Sequence, residues 1–442
     1  MTLAEIQRRA APTMIAAMII VPAIAIAIER RDLDQIDFFA TVDPDGGVAW
    51  LLRLTTFVVV ATAIALLAAR AWLGRQRRSI GIEAAVMLGF AVYFTTNAVL
   101  NGLFGTLPAF SHSQSYAALV LLAIYVRRDQ DASELLAATK CALLVVMVAS
   151  LLWAIVDPKT ALQRYTLDVR LPFIGFRFWG LGSHPNGIAP MALLLILLTI
   201  HRPFATRGLT ALSCISGGAV LLLAQSQTAW LAAAIAIPLL LVYRRVEVVA
   251  PRRSLWPNLL VASFVAMLLA ASVWIALDID ISDTLGLDKV SDESSLSGRG
   301  HIWKVAIDTF AENPLFGFGP TAWNGEFRAR IGMPFAFTAH NQFLQAMSSA
   351  GLVGLSGLLI YYVAMIVAVV VRARPTRGLA PALFIAFPLV RSISETPLSL
   401  YNILTDDFAA HVALFIVLVS ALPERAAIKP ATSLMPGATV GA

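Results

Sequence analysis

Charge is what this chain most lacks. Only 14% of its 442 residues are Asp, Glu, Lys or Arg, while 58% are hydrophobic and the mean hydropathy is +0.77. A soluble fold this apolar has too little polar surface to cover itself, so lipid must be the solvent for most of it. Cysteine is almost missing as well. Cys141 and Cys214 both fall inside apolar segments, where small buried thiols are expected, and no disulfide framework, thiolate metal site or redox pair follows from them. No His-Glu or Cys-His cluster has metal-ligand spacing, and no Gly-rich nucleotide-binding motif is visible, so neither metal nor cofactor is expected. The net charge of +6 is the kind that can attract nucleic acid. Here, however, the basic residues sit in short clusters between apolar runs, which is how positive-inside topology signals look. Nucleic acid is not expected as a partner.

What is present is a succession of apolar runs long enough to span about 30 Å of hydrocarbon. They predict an all-α, polytopic membrane helix bundle, a single multi-pass domain over 1–442 with about twelve transmembrane helices. The spans fall at roughly 11–28, 48–69, 80–100, 108–126, 134–156, 186–200, 208–225, 228–243, 257–278, 347–371, 379–397 and 407–421. Arg8 and Arg9 precede an apolar stretch that resembles a signal peptide, but the topology needs it as a retained first helix. Arginine clusters follow every even-numbered span: Arg70 to Arg78, Arg127 with Arg128, Arg202 with Arg207, Arg244 to Arg253, Arg372 to Arg377, and Arg425 with Lys429. Both termini are therefore expected in the cytoplasm of an inner-membrane protein.

Two outer connections are long, 157–185 and about 279–346, the latter between spans nine and ten. Trp303, Ile307, Phe310, Phe318 and Trp323 punctuate the second, which argues for structure of its own. Within it, 295–310 reads as an amphipathic surface helix capped by Ser297, with Ile302, Trp303, Ala306, Ile307 and Phe310 on one face. Asn313-Pro314 stops it, and Gly317 and Gly319 predict a bend.

The informative anomaly is arginine on the wrong side. Arg164, Arg170, Arg177, Arg299, Arg328 and Arg330 lie in outer loops that positive-inside bias should deplete. Arginine grips phosphate through paired hydrogen bonds and stays charged, so an anionic substrate is one explanation. Headgroup anchoring or salt bridges to loop acids is the other. Arg299 stands between glycines at a helix start, where free N–H groups and the helix dipole favour anions. His340, at the point where the long loop re-enters the membrane, has a side chain suited to taking a proton from a hydroxyl; a simple capping role is the alternative. Arg391 and Glu395 lie one helical turn apart and predict an internal ion pair. The acids of the first outer loop, Asp32 to Asp45, read as solvated.

These residues resemble a known family. Ser297-Gly298-Arg299 with Trp303, Asn313-Pro314-Leu315-Phe316-Gly317-Phe318-Gly319 with Trp323, Ala339-His340-Asn341-Gln342-Phe343-Leu344 and Gly351-Leu352-Val353-Gly354-Leu355 are similar to the O-antigen ligase and exopolysaccharide polymerase superfamily. Arg177-Phe178-Trp179-Gly180 with His184-Pro185-Asn186 looks like that family's upstream motif. Ser226-Gln227 stands where many members carry Ser-Arg, which leaves any arginine role there unfilled. The resemblance covers about 170–355. It implies an enzyme that takes a glycan from an undecaprenyl-diphosphate carrier at the periplasmic face and passes it to a hydroxyl. It also implies that His340 and Arg299 are catalytic, and that Arg177, Arg170, Asn341, Trp303 and Arg328 bind substrate. The partners implied are a lipid-linked oligosaccharide donor, a glycan acceptor, membrane lipids and a polysaccharide export complex. A polymerase of exopolysaccharide or O-antigen repeats is the preferred reading, with a ligase onto lipid A core as the alternative. A transporter or flippase would fit twelve spans with both ends inside, but no internal repeat is visible and few span centres hold Gly/Pro breaks or ionisable groups; a non-catalytic scaffold would tolerate replacement of the outer arginines.

Overall fold

The computed structural model describes residues 3–34, 46–72, 81–128, 132–164, 170–171, 173–249, 299–334, 336–373 and 376–420. Apolar runs become helices here because lipid offers no partner for backbone N–H and C=O groups, which must pair within the segment. The order is α1 (Leu3–Glu29), α2 (Gly46–Trp72), α3 (Ile82–Phe104), α4 (His112–Val126), α5 (Ser133–Val156), α6 (Pro185–His201), α7 (Arg207–Leu223) and α8 (Gln227–Val249). After the gap come α9 (Arg299–Glu312), α10 (Gly325–Arg330), α11 (Gln342–Arg372), α12 (Leu379–Leu389) and α13 (Asp406–Val419).

Six helices are long and apolar enough to cross a membrane: Arg8–Glu29, Gly46–Trp72, Ile82–Phe104, Ser133–Val156, Gln227–Arg245 and Gln342–Arg372. Helices α4, α6, α7 and α12 are apolar but shorter, and the expected ninth span lies outside the described residues. A helical membrane protein emerges, then, without a confirmed count of twelve spans. The short helices have a physical reason. All of α6 except Asn186, Gly187 and Ile200 is buried, as is all of α13 beyond Asp407. Ends that meet protein rather than lipid need not match the full hydrocarbon thickness. The outer helices show the opposite face, with Trp50, Phe57, Leu152 and Ile155 exposed where lipid would lie. Cys141 and Cys214 are exposed too, not buried as expected, because both sit on outward-facing sides of α5 and α7.

Two departures from plain helix shape the outer face. Residues Leu162–Gln163 (β1) and Arg177–Phe178 (β2) pair antiparallel and bring these two parts of the first long loop together. The second is a break in α11 at Gly351, where φ is +64°. The segment 314–319 lies against the break: Leu352 N–H donates to Pro314 O (2.8 Å), and Phe318 N–H to Ser348 O (2.9 Å). The Gly317–Gly319 bend predicted from sequence is present, and it lets backbone meet backbone there.

Within 299–339 lies a small core separate from that of the bundle, built from Ile302, Ala306, Phe318, Trp323 and Phe327. Helix α9 turns its buried face slightly from the expected one. Thr309 is buried and Ile307 is 44% exposed, so the stripe runs Ile302, Trp303, Ala306, Thr309. Ser297, its expected cap, lies outside the described residues.

Candidate active site

The turn before α11 is stitched to the segment after α12 by side chains from one helix start. Asn341 caps α11, accepting from Phe343 N–H (2.9 Å) and Leu344 N–H (3.0 Å), while its Nδ2 donates to Ile393 O (3.2 Å). Gln342 Oε1 accepts from Leu398 N–H (2.9 Å), and Gln345 Oε1 from Ala339 N–H (2.8 Å). These bonds hold His340 at φ +48°, a left-handed conformation costing a non-glycine residue roughly 1–2 kcal/mol. Such strain persists only where the surroundings over-determine it, and it clusters at functional sites.

The same stitching brings Glu395 to His340. Glu395 Oε2 lies 3.2 Å from His340 Nδ1, and Oε1 accepts from Arg299 Nη2 (3.0 Å) and Asn186 Nδ2 (2.9 Å). Burial alone would push this carboxyl up. Its bond to His340 and the charges of His340, Arg299 and Arg391 outweigh that and hold it well below the usual carboxylate range. A permanent carboxylate at Nδ1 fixes the proton there and leaves Nε2 as the lone-pair nitrogen. His340 is 27% exposed at its side chain, so the imidazole can be approached.

Asn186, one residue into α6, is the hub on the other side. Its Oδ1 accepts from Arg177 Nη2 (3.1 Å), and its carbonyl accepts from Arg391 Nη2 (2.9 Å). Charged neighbours on both amide atoms leave the amide only one sensible orientation. Its N–H donates to His184 Nδ1 (3.1 Å), which caps the helix. Burial, helped by Arg177, pushes the His184 imidazole down to about 3, so it stays neutral. Below the unfolded value near 6.5 the unfolded chain gains a proton that the folded chain refuses, so stability is lost as pH falls from about 6.5 towards 3. Glu395 acts with the same sign lower down. Asp406, pushed up to about 6 by burial, acts with the opposite sign between about 6 and 4, so the readout is the difference between proteins: His184→Asn, which can still cap α6, should lose less of its unfolding midpoint than the parent as pH falls from about 6.5.

Arg31 completes the frame. Its guanidinium donates to the carbonyls of Thr160 (3.4 Å), Gly180 (3.3 Å), Gly182 (2.7 Å) and Ser183 (3.3 Å), and it lies 5.0 Å over the Trp179 ring. Burial lowers it to about 10, still charged at neutral pH. One side chain thus ties the end of α1 to the turn that presents His184 and Asn186. Lysine lacks the planar fork to bind four carbonyls. Arg31→Lys is expected to lower the unfolding temperature and make the 178–184 turn open to limited proteolysis. Gln225, at φ +52°, does similar work, accepting from Arg170 N–H (2.6 Å) and Leu171 N–H (2.9 Å) and donating to Phe176 O (2.6 Å).

The structure therefore gathers Arg177, Arg299, His340, Arg391 and Glu395 around Asn186, and leaves other candidates elsewhere. Arg328 is curled onto its own loop, donating to Asn324 O and Pro334 O and stacking on Phe337 at 3.9 Å. Trp303 is 5% exposed inside the small outer core, so it offers no open ring. Asn341 is a cap, and Arg170 is exposed in the first long loop. The ion pair expected between Arg391 and Glu395 is redistributed. The turn between them is kept, Glu395 N–H donating to Arg391 O (2.7 Å), but each side chain finds a nearer partner of opposite charge. Arg391 pairs with Asp407 instead, and Glu395 with Arg299 and His340. In the first loop, Asp32 lies 3.8 Å from Lys159 and Asp34 accepts from Arg164 N–H, so these acids fasten one loop to the next. Sequence reasoning missed Arg31 and the hub role of Asn186. For Arg31 a signal existed: it follows the first span on the side where basic residues should be scarce.

A mainly apolar cavity of about 550 Å³ lies between α1, α2 and the start of α6, with Glu29, Arg53, Ser183, Asn402 and Asp406 among its polar lining; none of Arg299, His340 or Glu395 lines it. Among the described residues no group of three or more His, Cys, Asp or Glu is placed to hold a metal ion.

Residues 211–359, about a third of the chain, match the family model described as O-antigen ligase. No curated protein matches the chain. The matched range holds Arg299 and His340. Arg177, Asn186 and Glu395 lie outside it.

Proposed function

Taking the O-antigen ligase-like domain as premise, we propose that this chain is a glycosyltransferase that uses polyprenyl-diphosphate-linked glycans at the periplasmic face of the inner membrane. The observation that carries the reading is the His340–Glu395–Arg299 arrangement. The acceptor hydroxyl attacks the anomeric carbon of the donor glycan. Its proton passes to His340 Nε2, and the bond from that carbon to the phosphate oxygen breaks with inversion. Glu395 stabilises the imidazolium that forms. The lipid diphosphate leaves with one more negative charge than it had in the ester, and a fixed guanidinium stabilises that charge more than the ground state. Arg299 gives one nitrogen to Glu395, and a guanidinium carries five donors in all. Arg177 is turned onto Ala224 O and Asn186, so it acts by holding Asn186 and by its charge. The cavity between α1 and α2 offers apolar walls for an isoprenoid tail.

The preferred activity is polymerisation of repeat units. Ligation to a core acceptor is the second reading, favoured by the description of the matching family. Purified protein given only lipid-linked repeats decides between them: chain growth means polymerase, and growth only when a core acceptor is added means ligase. Donor consumption in detergent, where no vectorial movement is visible, also separates an enzyme from a transporter. If the donor survives with and without acceptor, the glycosyltransferase reading fails. Arg299→Ala is expected to lower the rate about 10²–10³-fold, the usual loss for removing one donor to a developing oxyanion.

A further inference from the structure

The cavity between α1, α2 and the start of α6 is ordered by depth. Its lining runs along α1 from Glu29 to Ile19 and along α2 from Val48 to Val60, about 15–18 Å of helix at 1.5 Å per residue. Ser183, Asn402, Asp406 and Glu29 give it a polar end at the turn that leads into α6. Arg53 stands about 10 Å into α2 from Gly46, and Ile19, Ala23, Phe57 and Val60 line the deeper part. Arg53 is exposed and, among the described residues, makes no hydrogen bond or ion pair. An arginine at that depth of an apolar helix is costly unless a partner meets it, and phosphate meets a guanidinium through paired hydrogen bonds.

The acids at the polar end restrict what lies beyond that phosphate. Carboxylates repel a second anion and accept from hydroxyl groups, as the Asp406 carboxylate does from Ser183 Oγ (3.4 Å). A hydroxyl-rich head, then a phosphate, then a hydrocarbon chain is the order of groups in a lipid-linked glycan. The polar end also adjoins the candidate site. Asp406 Oδ2 lies so close over Gly187 that no methyl group would fit there, and the preceding residue, Asn186, donates to Glu395.

We propose that this cavity holds the lipid anchor of the acceptor, with an isoprenoid chain in the deeper part, its phosphate on Arg53 and its first sugar against Asp406, Asn402 and Ser183. The proposal rests on the glycosyltransferase reading above in its polymerase form, where both substrates are lipid-linked. A donor breaks at the bond between sugar and phosphate, so its diphosphate belongs at the cluster of Arg299 and His340. An acceptor reacts at a hydroxyl of its glycan, so its own phosphate stands at least one sugar away from the reacting atoms. A cavity that meets the same turn without being lined by Arg299, His340 or Glu395 suits the second substrate and not the first.

The test uses the full-length protein in non-ionic detergent with two lipid-linked repeats. One is O-methylated at its accepting hydroxyl and serves only as donor. The other carries a methylene in place of the oxygen between sugar and phosphate and serves only as acceptor. Arg53→Ala is expected to raise KM for the acceptor about tenfold, the loss of one charge-assisted contact, with kcat and the donor's KM unchanged. Arg53→Lys, which keeps the charge without the fork, is expected to fall between. A merely structural role would lower kcat with both substrates. No transfer by the parent is failure of the enzyme reading and takes the acceptor role with it. Transfer in which Arg53→Ala leaves the acceptor's KM unchanged, or raises the donor's instead, overturns this proposal alone. If that variant also sheds phosphatidylethanolamine in native mass spectrometry while the acceptor's KM stays unchanged, the cavity belongs to a membrane phospholipid.

Discussion

Glu395→Gln is expected to cut glycan transfer about 10²–10⁴-fold, the range for losing a working general base, while the protein still inserts and purifies. The substitution keeps the shape and an oxygen for Asn186 and Arg299, so the frame survives. What goes is the charge. A neutral amide cannot stabilise the imidazolium that forms when Nε2 takes the acceptor's proton. If its nitrogen faces His340, it donates to Nδ1 and forces the imidazole proton onto Nε2, which removes the base. His340→Ala should cost a similar factor. Because the pair acts as one unit, the double variant should be little worse than either single one. Initial rates of donor consumption across pH provide the measurement. A Glu395→Gln enzyme that keeps a tenth or more of its turnover would take the dyad out of the mechanism.

Gly317→Ala is expected to destabilise the fold by about 3 kcal/mol or more, from a left-handed backbone and an overpacked contact together. Gly317 sits at φ +67°, and an added methyl carbon there would lie 2.5 Å from Ala350 N. Backbone atoms cannot step aside as a side chain can. Gly351, at φ +64°, faces the Leu315 carbonyl in the same way from the other strand of the contact. The segment 314–319 is also bound by Thr106 N–H and Leu107 N–H, so displacing it would disturb α3 as well as α11. Gly218→Ala is the control: it lies in α7 with nothing within 4 Å of the added carbon, and its effect should stay within about 1 kcal/mol. Unfolding temperatures of the two variants in one detergent make the comparison. Equal midpoints would mean that the Gly317–Gly351 contact does not hold the outer segment in place.

The candidate arginines were legible before any fold was known, because basic residues where positive-inside bias should deplete them need a reason. That criterion picked out Arg177 and Arg299, and residue chemistry picked out His340. It also picked out Arg328, which turned out to satisfy its own loop. The criterion finds arginines that have a partner; it cannot say whether the partner is substrate or protein. Trp303 raises a related question. An aromatic on an amphipathic helix can be a platform or a plug, and α9 buries it as a plug.

The chain's own composition settled that lipid is the solvent and helix the response, since transfer from water to hydrocarbon is summed residue by residue and needs no knowledge of neighbours. Pairing is another kind of question. Glu395 meets Asn186 from 209 residues away, Arg299 from 96 and His340 from 55. Which partner it takes depends on tenths of an ångström in the path of three separate segments. Arg391 turns to Asp407 while Glu395 turns to Arg299 and His340, and only the packed bundle decides which partner lies nearer.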